Sequence, residues 1–294
     1  MRTILLTVEY DGSRFCGWQR QPNVRTVQGV LESALTRLLG QEIRVDGASR
    51  TDAGVHALGQ RATFSGEFGI PTDRIRPALN HLLRGRTLMP GPDSDVRVVS
   101  CEEKPDGFHA RFDSVGKKYR YVIRNEEELP VFERNYCCQV PARLDLDRMK
   151  RAAKHLIGTH DFACFQAAGG TPRETTVRTI HGIRVRETGG SCEPGGSREP
   201  GESCDSRGRT ITIEVSGDGF LYNMVRILSG TLIEAGLGKR EPDSIPDLLL
   251  SKDRRQAGFT APPGGLYLVE VYYGPEEPGR TPGPGTELEN HKEG

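Results

Sequence analysis

The order in which hydrophobic periods change along this chain restricts its fold more than any single residue does. Arg2–Tyr10 alternates, with Ile4, Leu6, Val8 and Tyr10 set against Leu5, Thr7 and Glu9, the period of a β-strand. Thr26 then stands at a helix start. Apolar residues recur at three- and four-residue steps from Val27 to Leu39, and Gly40 follows. Glu42–Ala48 and His56–Phe64 read as strands joined by a tight turn holding Asp52, Ala53 and Gly54. A second helix follows Thr72, with Ile75, Leu79, Leu82 and Leu83 inward; Pro77 suits it only near a helix start. Val96–Glu103 is the next strand, and the order to this point is β-α-β-β-α-β.

The same order then recurs. Gly116–Arg124 reads as a strand. Leu146–Ile157 reads as a helix with Leu146, Met149, Ala153, Leu156 and Ile157 on one face. Val177–Arg186 and Thr210–Ser216 are strands, Leu221–Ala235 is a helix, Ser244–Leu250 a short extra helix and Leu266–Tyr273 a closing strand. The expectation is an α+β fold of two tandem β-α-β-β-α-β halves, ferredoxin-like or RNA-recognition-motif-like, at 1–105 and 106–274. Each has an antiparallel sheet with helices packed on one face, which leaves the other face free as a cleft for a ligand, as RNA lies on single modules of this topology, an analogy that decides nothing about chemistry. A length of 294 residues accommodates both halves. Element order alone carries the repeat, since no sequence identity links the two.

Composition matters because it is uneven. Glu187–Gly208 and Pro275–Gly294 together hold 10 of the 36 Gly and 6 of the 19 Pro and show no apolar period. Neither stretch can bury enough surface to offset its ordering entropy, so an insertion at 187–208 and a tail at 275–294 are predicted to be disordered. Each carries five acidic against two basic residues, so a formal net charge of zero conceals about six positive charges on the remainder. The basic residues there are mostly Arg, which suits phosphate and base-plane contacts. Charge alone leaves nucleic-acid binding and a simple compositional excess of Arg equally open. The seven cysteines form no C-x-x-C pair and no zinc spacing, a pattern that fits a reducing cytosol. Glu9 and Asp11 interrupt the first apolar run, and no run reaches membrane-spanning length, so a cytoplasmic protein without membrane contact is expected.

No Walker A loop, G-x-G-x-x-G after a strand, H-E-x-x-H or G-x-S-x-G occurs. What stands out is Gly47-Ala48-Ser49-Arg50-Thr51-Asp52-Ala53-Gly54-Val55-His56-Ala57. Arg50 and Asp52 put a guanidinium and a carboxylate on one rim of the sheet, and a buried carboxylate nucleophile needs a positive partner to stay ionised. Asp-Ala-Gly is also ordinary turn chemistry, with Asp capping backbone N–H groups.

The whole string resembles the catalytic motif of the tRNA pseudouridine synthase A family. Further matches follow in the family's order: Tyr10-Asp11-Gly12, Phe15-Cys16-Gly17-Trp18-Gln19, Phe108-His109-Ala110-Arg111-Phe112, Lys118-Tyr119-Arg120-Tyr121, His160-Asp161-Phe162, Gly219 through Arg226, and Gly265-Leu266-Tyr267-Leu268. They cover nearly all of Met1–Tyr273. Ser49 stands where the family usually has Gly, and Asp218 where Asn is common.

The resemblance implies conversion of uridine to pseudouridine in tRNA, in the anticodon stem-loop at about positions 38 to 40, by a homodimer. It implies that Asp52 is the catalytic carboxylate and that Tyr119 stacks on the target uracil. It also implies that Arg226 pairs with Asp52, that Arg50 reaches the RNA beside the flipped nucleotide, and that Leu266 walls the pocket. The reaction breaks N1–C1′, turns the uracil and rejoins it through C5. Neither redox change nor hydrolysis occurs, so no metal and no small-molecule cofactor is expected. Attack by Asp52 on the ring or sugar and removal of a sugar proton both fit. Two rival readings compete with this one. A non-catalytic RNA-binding protein with two RNA-recognition-motif-like modules would fit the topology, but lacks the expected aromatic strand signature. A carboxylate hydrolase would need a second acid, and none accompanies Asp52.

Overall fold

The computed structural model describes residues 1–84, 95–170, 174–188 and 208–274. The expected disordered tail lies outside the described residues, as do residues 189–207 of the expected insertion. In chain order the elements are β1 (Arg2–Tyr10), α1 (Val27–Leu39), β2 (Asp46–Gly47), β3 (His56–Gly66), α2 (Thr72–Arg84), β4 (Val96–Lys104) and β5 (Ser114–Asn125). There follow β6 (Cys138–Gln139), α3 (Leu146–Lys154), β7 (Gly158–Asp161), β8 (Val177–Thr188), β9 (Arg209–Gly217), α4 (Met224–Gly236), α5 (Ile245–Ser251) and β10 (Leu266–Tyr273). The fold is α+β, as expected, and among the described residues five α-helices accompany a mostly antiparallel sheet.

That sheet is continuous, in the order β4-β1-β3-β10-β5-β9-β8-β7, with β2 beside β3 and β6 beside β5. The order β4-β1-β3-β2 and the order β10-β5-β9-β8 are the same split β-α-β arrangement met twice. The two do not remain separate sheets. β10 runs parallel to β3 through Tyr267 opposite His56 and Leu268 opposite Ala57, while β2 takes Ala62 and Thr63 of the same strand edge. β3 therefore shares one edge between two neighbours. A Cβ on Gly59, between those pairings, would stand 2.4 Å from the Val269 carbonyl oxygen, so only glycine lets the strands meet there.

The expected strand Glu42–Ala48 shrinks to β2 for a local reason. The Val45 N–H donates to Glu32 Oε1 at 3.1 Å, and the Val45 carbonyl accepts from Gln28 Nε2 at 2.8 Å. Both side chains project from α1 and occupy backbone groups that a sheet ladder would otherwise use. α1 itself is as expected: Thr26 Oγ1 accepts from the Gly29 N–H, and Gly40 closes the helix at φ 70°. Val27, Leu31, Ala34 and Leu35 face the core.

α2 runs through Pro77 rather than starting near it. The helical bond lost at Pro77 is to the Asp73 carbonyl, in an exposed first turn where water can replace it. Ile75, Leu79 and Leu83 are buried, and Leu82 is only half-buried. α3 ends at Lys154, short of Ile157. Leu156 and Ile157 donate to the carbonyls three residues back, which tightens the end and turns Ile157 outward to 41% exposure. β7 is an edge strand absent from the periodicity reading, and pairs with β8. Glu187 and Thr188, assigned above to the insertion, belong to β8, where Glu187 meets Arg209 at 2.8 Å. None of the helices among the described residues is long and apolar enough to cross a membrane.

Candidate active site

The turn between β2 and β3 is fixed from several directions. The Ala48 N–H donates to the Arg61 carbonyl at 2.7 Å. The buried Gln60 amide brackets Ser49, giving its Nε2–H to the Ser49 carbonyl at 2.7 Å and taking the Ser49 N–H at 3.2 Å. Thr51 shares a 2.8 Å hydroxyl bond with Tyr10. The Thr51 carbonyl accepts from the Trp18 N–H at 3.0 Å, and the Gly54 N–H donates to the Phe15 carbonyl at 3.3 Å. Gly17, at φ 87°, lies so close that a Cβ would stand 2.7 Å from the Thr51 oxygen. The segment from Phe15 to Trp18 is thus the floor beneath the Asp52 turn.

Asp52 faces a cavity of about 140 Å³. Arg50, Lys117, Tyr119, Phe220 and Leu266 line it as well. Asp52 is 22% exposed at the side chain, and its Oδ2 lies 3.4 Å from Nη1 of Arg226, itself 15% exposed. Arg226 does not line the cavity; it reaches Asp52 from α4, whose first residues, Met224 and Val225, form part of the wall. Its direction is set by neutral acceptors. Nε donates to the Ala261 carbonyl at 2.7 Å and Nη1 to Asn223 Oδ1 at 2.7 Å. Asn223 caps α4 in the left-handed region, φ 58°, one helical turn before Arg226. Burial pushes the Asp52 carboxyl above its ordinary value, and the charge and hydrogen bond of Arg226 pull the other way without overcoming it.

Tyr119, on β5, is 7% exposed. Its ring meets Phe220 edge-on, with centroids 5.2 Å apart and planes at 85°. Its hydroxyl lies 2.7 Å from Ser49 Oγ. Burial pushes this phenol up to about 12, against the Ser49 bond and with the Asp52 charge adding to the rise, so it is neutral near pH 7. Lys117, two residues earlier on β5, gives Nζ–H to the Ala48 carbonyl at 2.7 Å. Leu266 is 6% exposed at the start of β10, opposite Tyr121 in the β5 ladder. Arg50 is exposed at the cavity.

All five residues singled out in the sequence therefore meet at one place: four line the cavity, and Arg226 stands behind it. Lys117, Asn223, Phe220 and the Ser49 hydroxyl were assigned no role beforehand. Lys117 was open to discovery, since the period of two places it on the Tyr119 face of the strand. The arrangement can hold a carboxylate next to a cation and an aromatic ring in a space partly withdrawn from water.

Comparison with known proteins identifies the family. A family model described as tRNA pseudouridine synthase matches residues 6–113 and 152–274. The tRNA pseudouridine synthase A of Ruminiclostridium cellulolyticum is 45% identical over 273 residues, covering 93% of this chain and 100% of that protein. The protein of the same name from Acetivibrio thermocellus is 43% identical over 273 residues, with the same coverage. That from Oceanobacillus iheyensis is 44% identical over 274 residues, 93% of this chain and 97% of its own length. With the family model matched over most of its length and relatives aligned almost end to end, this chain belongs to the tRNA pseudouridine synthase A family.

Proposed function

We propose that this chain isomerises uridine to pseudouridine in tRNA, with Asp52 as the catalytic carboxylate. The observation that carries the reading is the pairing of Asp52 with Arg226 at 3.4 Å beside the buried ring of Tyr119. A non-catalytic RNA binder gives no reason to bury a carboxylate and aim a guanidinium at it, because such a pair costs desolvation and adds little affinity for RNA.

The target uridine must leave its stack, at a cost of a few kcal/mol. Stacking on the open face of Tyr119 returns about 1–3 kcal/mol of that. Phe220 holds the ring edge-on, so the tyrosine presents a fixed surface rather than a swinging one. Asp52 starts the exchange of the glycosidic bond from N1 to C5. Arg226 opposes the pull of burial and so favours its ionised form. Leu266 supplies an apolar wall that retains the detached uracil, which would be lost on escape to water. Arg50, exposed at the cavity, reaches toward RNA phosphate or the gap left by the flipped base. The rearrangement is redox-neutral: N1–C1′ breaks, C5–C1′ forms, and the proton lost from C5 is balanced by one gained at N1, so the chain needs no cofactor for it.

Within this reading the anticodon stem-loop is the target, the protein is a homodimer, the site of action is the cytoplasm, and 1–105 and 106–274 are the two structural halves that meet at the pocket. The resemblance of the motif strings supports the first two, and the unpaired state of the five described cysteines is consistent with a reducing compartment. Asp52→Asn tests the central claim. The variant is expected to fold and bind tRNA, yet release no tritium from 5-tritiated uridine in tRNA. Turnover near the wild-type rate would reject Asp52 as the catalytic group.

A further inference from the structure

The geometry points to Ser49 as a positioning residue that holds the Tyr119 hydroxyl in register with Asp52. The inference rests on reading this pocket as the synthase site. Ser49 Oγ and Tyr119 Oη lie 2.7 Å apart, both residues are buried, and the contact joins the catalytic turn to β5. The serine cannot drift, because Gln60 grips its N–H and its carbonyl at once and is itself fully buried. Gln60 also approaches the Tyr10 hydroxyl at 3.5 Å, and Tyr10 holds Thr51, so one polar chain runs from β1 through β3 to β5. Lys117 binds the neighbouring carbonyl of Ala48. Two residues of one strand face, Lys117 and Tyr119, thus clamp two successive residues of the turn. The Lys117 bond to Ala48 is to backbone and acts on the turn whatever side chain stands there. The Ser49 bond is specific to its side chain and reaches the group that faces the substrate.

Tyr119 is held at two points, Phe220 against the ring and Ser49 at the hydroxyl. Removal of the serine hydroxyl leaves a buried phenol without its partner and lets the ring tilt about the Phe220 edge. The base stacked on Tyr119 then lies less well against Asp52, while the RNA contacts outside the pocket are untouched. The effect belongs in kcat rather than in KM.

The test is a double-mutant cycle on the full-length protein with unmodified tRNA transcript, read by tritium release. Ser49→Ala is expected to lower kcat roughly two- to twelve-fold, the range for one neutral hydrogen bond, with KM for tRNA within about twofold of wild type. Ser49→Ala/Tyr119→Phe is expected to turn over at the rate of Tyr119→Phe alone, because Ser49 acts through that hydroxyl. A Ser49→Ala kcat equal to wild type, or a double variant that falls by the product of the two single effects, overturns the inference. Should Ser49→Ala fail to fold, the double variant removes both partners at little cost to stability, and its rate against Tyr119→Phe decides the question. A wild-type protein that forms no pseudouridine would instead reject the underlying reading of the pocket.

Discussion

Replacing Arg226 by Gln removes the positive charge and leaves a shorter polar side chain that ends near the position of Nε, and its consequences follow from three distances. The guanidinium bonds at 2.7 Å to each of two neutral oxygens, those of Ala261 and Asn223, and at 3.4 Å to Asp52. The neutral contacts orient the group without cancelling its charge, and Asp52 is its one ion-pair partner among the described residues. Two unit charges 3.4 Å apart attract by about 5 kcal/mol at an effective dielectric of about 20. Partial exposure of both side chains and their desolvation take back some of this, and loss of one partner from a buried pair typically costs about 3–5 kcal/mol. If about 2.7 kcal/mol of it bears on the ionised, reactive state, kcat/KM near pH 7 falls about 100-fold. The pH profile carries the sharper signature. Asp52 already titrates above its ordinary value because burial outweighs Arg226, and loss of the arginine removes the opposing pull. The carboxyl then rises further, its ionised form appears only at higher pH, and the acid limb of kcat/KM moves upward. Raising the pH therefore restores part of the lost rate. Stability shifts in the matching sense. A carboxyl whose folded value is raised favours the fold most when protonated, and that contribution is lost as pH rises through the folded value; Arg226→Gln enlarges the loss at neutral pH. Tritium release between pH 5 and pH 9, beside thermal melts over the same range, measures both. An Arg226→Gln variant whose acid limb coincides with that of wild type would refute the electrostatic argument, whatever its absolute rate.

Gly59→Ala drives a methyl group to 2.4 Å from the Val269 carbonyl at the β3–β10 junction, and a forced backbone shift of this kind costs roughly 1–3 kcal/mol. A lowered melting temperature together with reduced turnover is expected, since β10 also carries Leu266 into the pocket; an unchanged melt would argue against the strand crossing described above. Binding of tRNA should weaken steeply from low to physiological salt, and Arg50→Ala should reduce the slope by about one counterion while lowering affinity, measured by filter binding across a salt series. A slope identical to wild type would remove Arg50 from the RNA contact.

The helices were legible because their signals are local. Thr26 and Gly40 bound α1 where the cap chemistry predicts, and the three- and four-residue steps between them are its buried face. β2 was misread because that reasoning treats a polar helix residue as outward-facing. Gln28 and Glu32 lie four apart beside the Val27, Leu31 and Leu35 stripe, are buried, and capture the backbone of Val45. The union of the two expected sheets left no trace in any window, since the β3–β10 contact is a two-residue parallel ladder between His56–Ala57 and Tyr267–Leu268. Asp52, Tyr119 and Arg226 come from three distant stretches of chain, and no period links them. The motif strings include all three, and the fold brings them together in space. Ser49 illustrates the limit of that route. It counted only as a departure from a usual glycine until the 2.7 Å contact gave it a partner.

The position of the pocket follows from how the strands merge. Asp52 rides on the turn that leads into β3, whereas Tyr119, Arg226 and Leu266 ride on β5, α4 and β10. Among the described residues, the ion-pair partner of Asp52 is Arg226 on α4, and the ring beside it in the cavity is Tyr119 on β5. Those partners arrive because β10 docks parallel to the start of β3, directly after the Asp52 turn, and because β5 pairs with β10 on its other side. The alignment tolerates little slack: a glycine is required where β3 meets Val269, and Lys117 and Tyr119 bind the turn itself. A slip of β10 by one residue along β3 would invert the side chains at the junction and turn Leu266 away from the cavity. The pairing of this buried carboxylate is therefore a property of the joined sheet rather than of its turn.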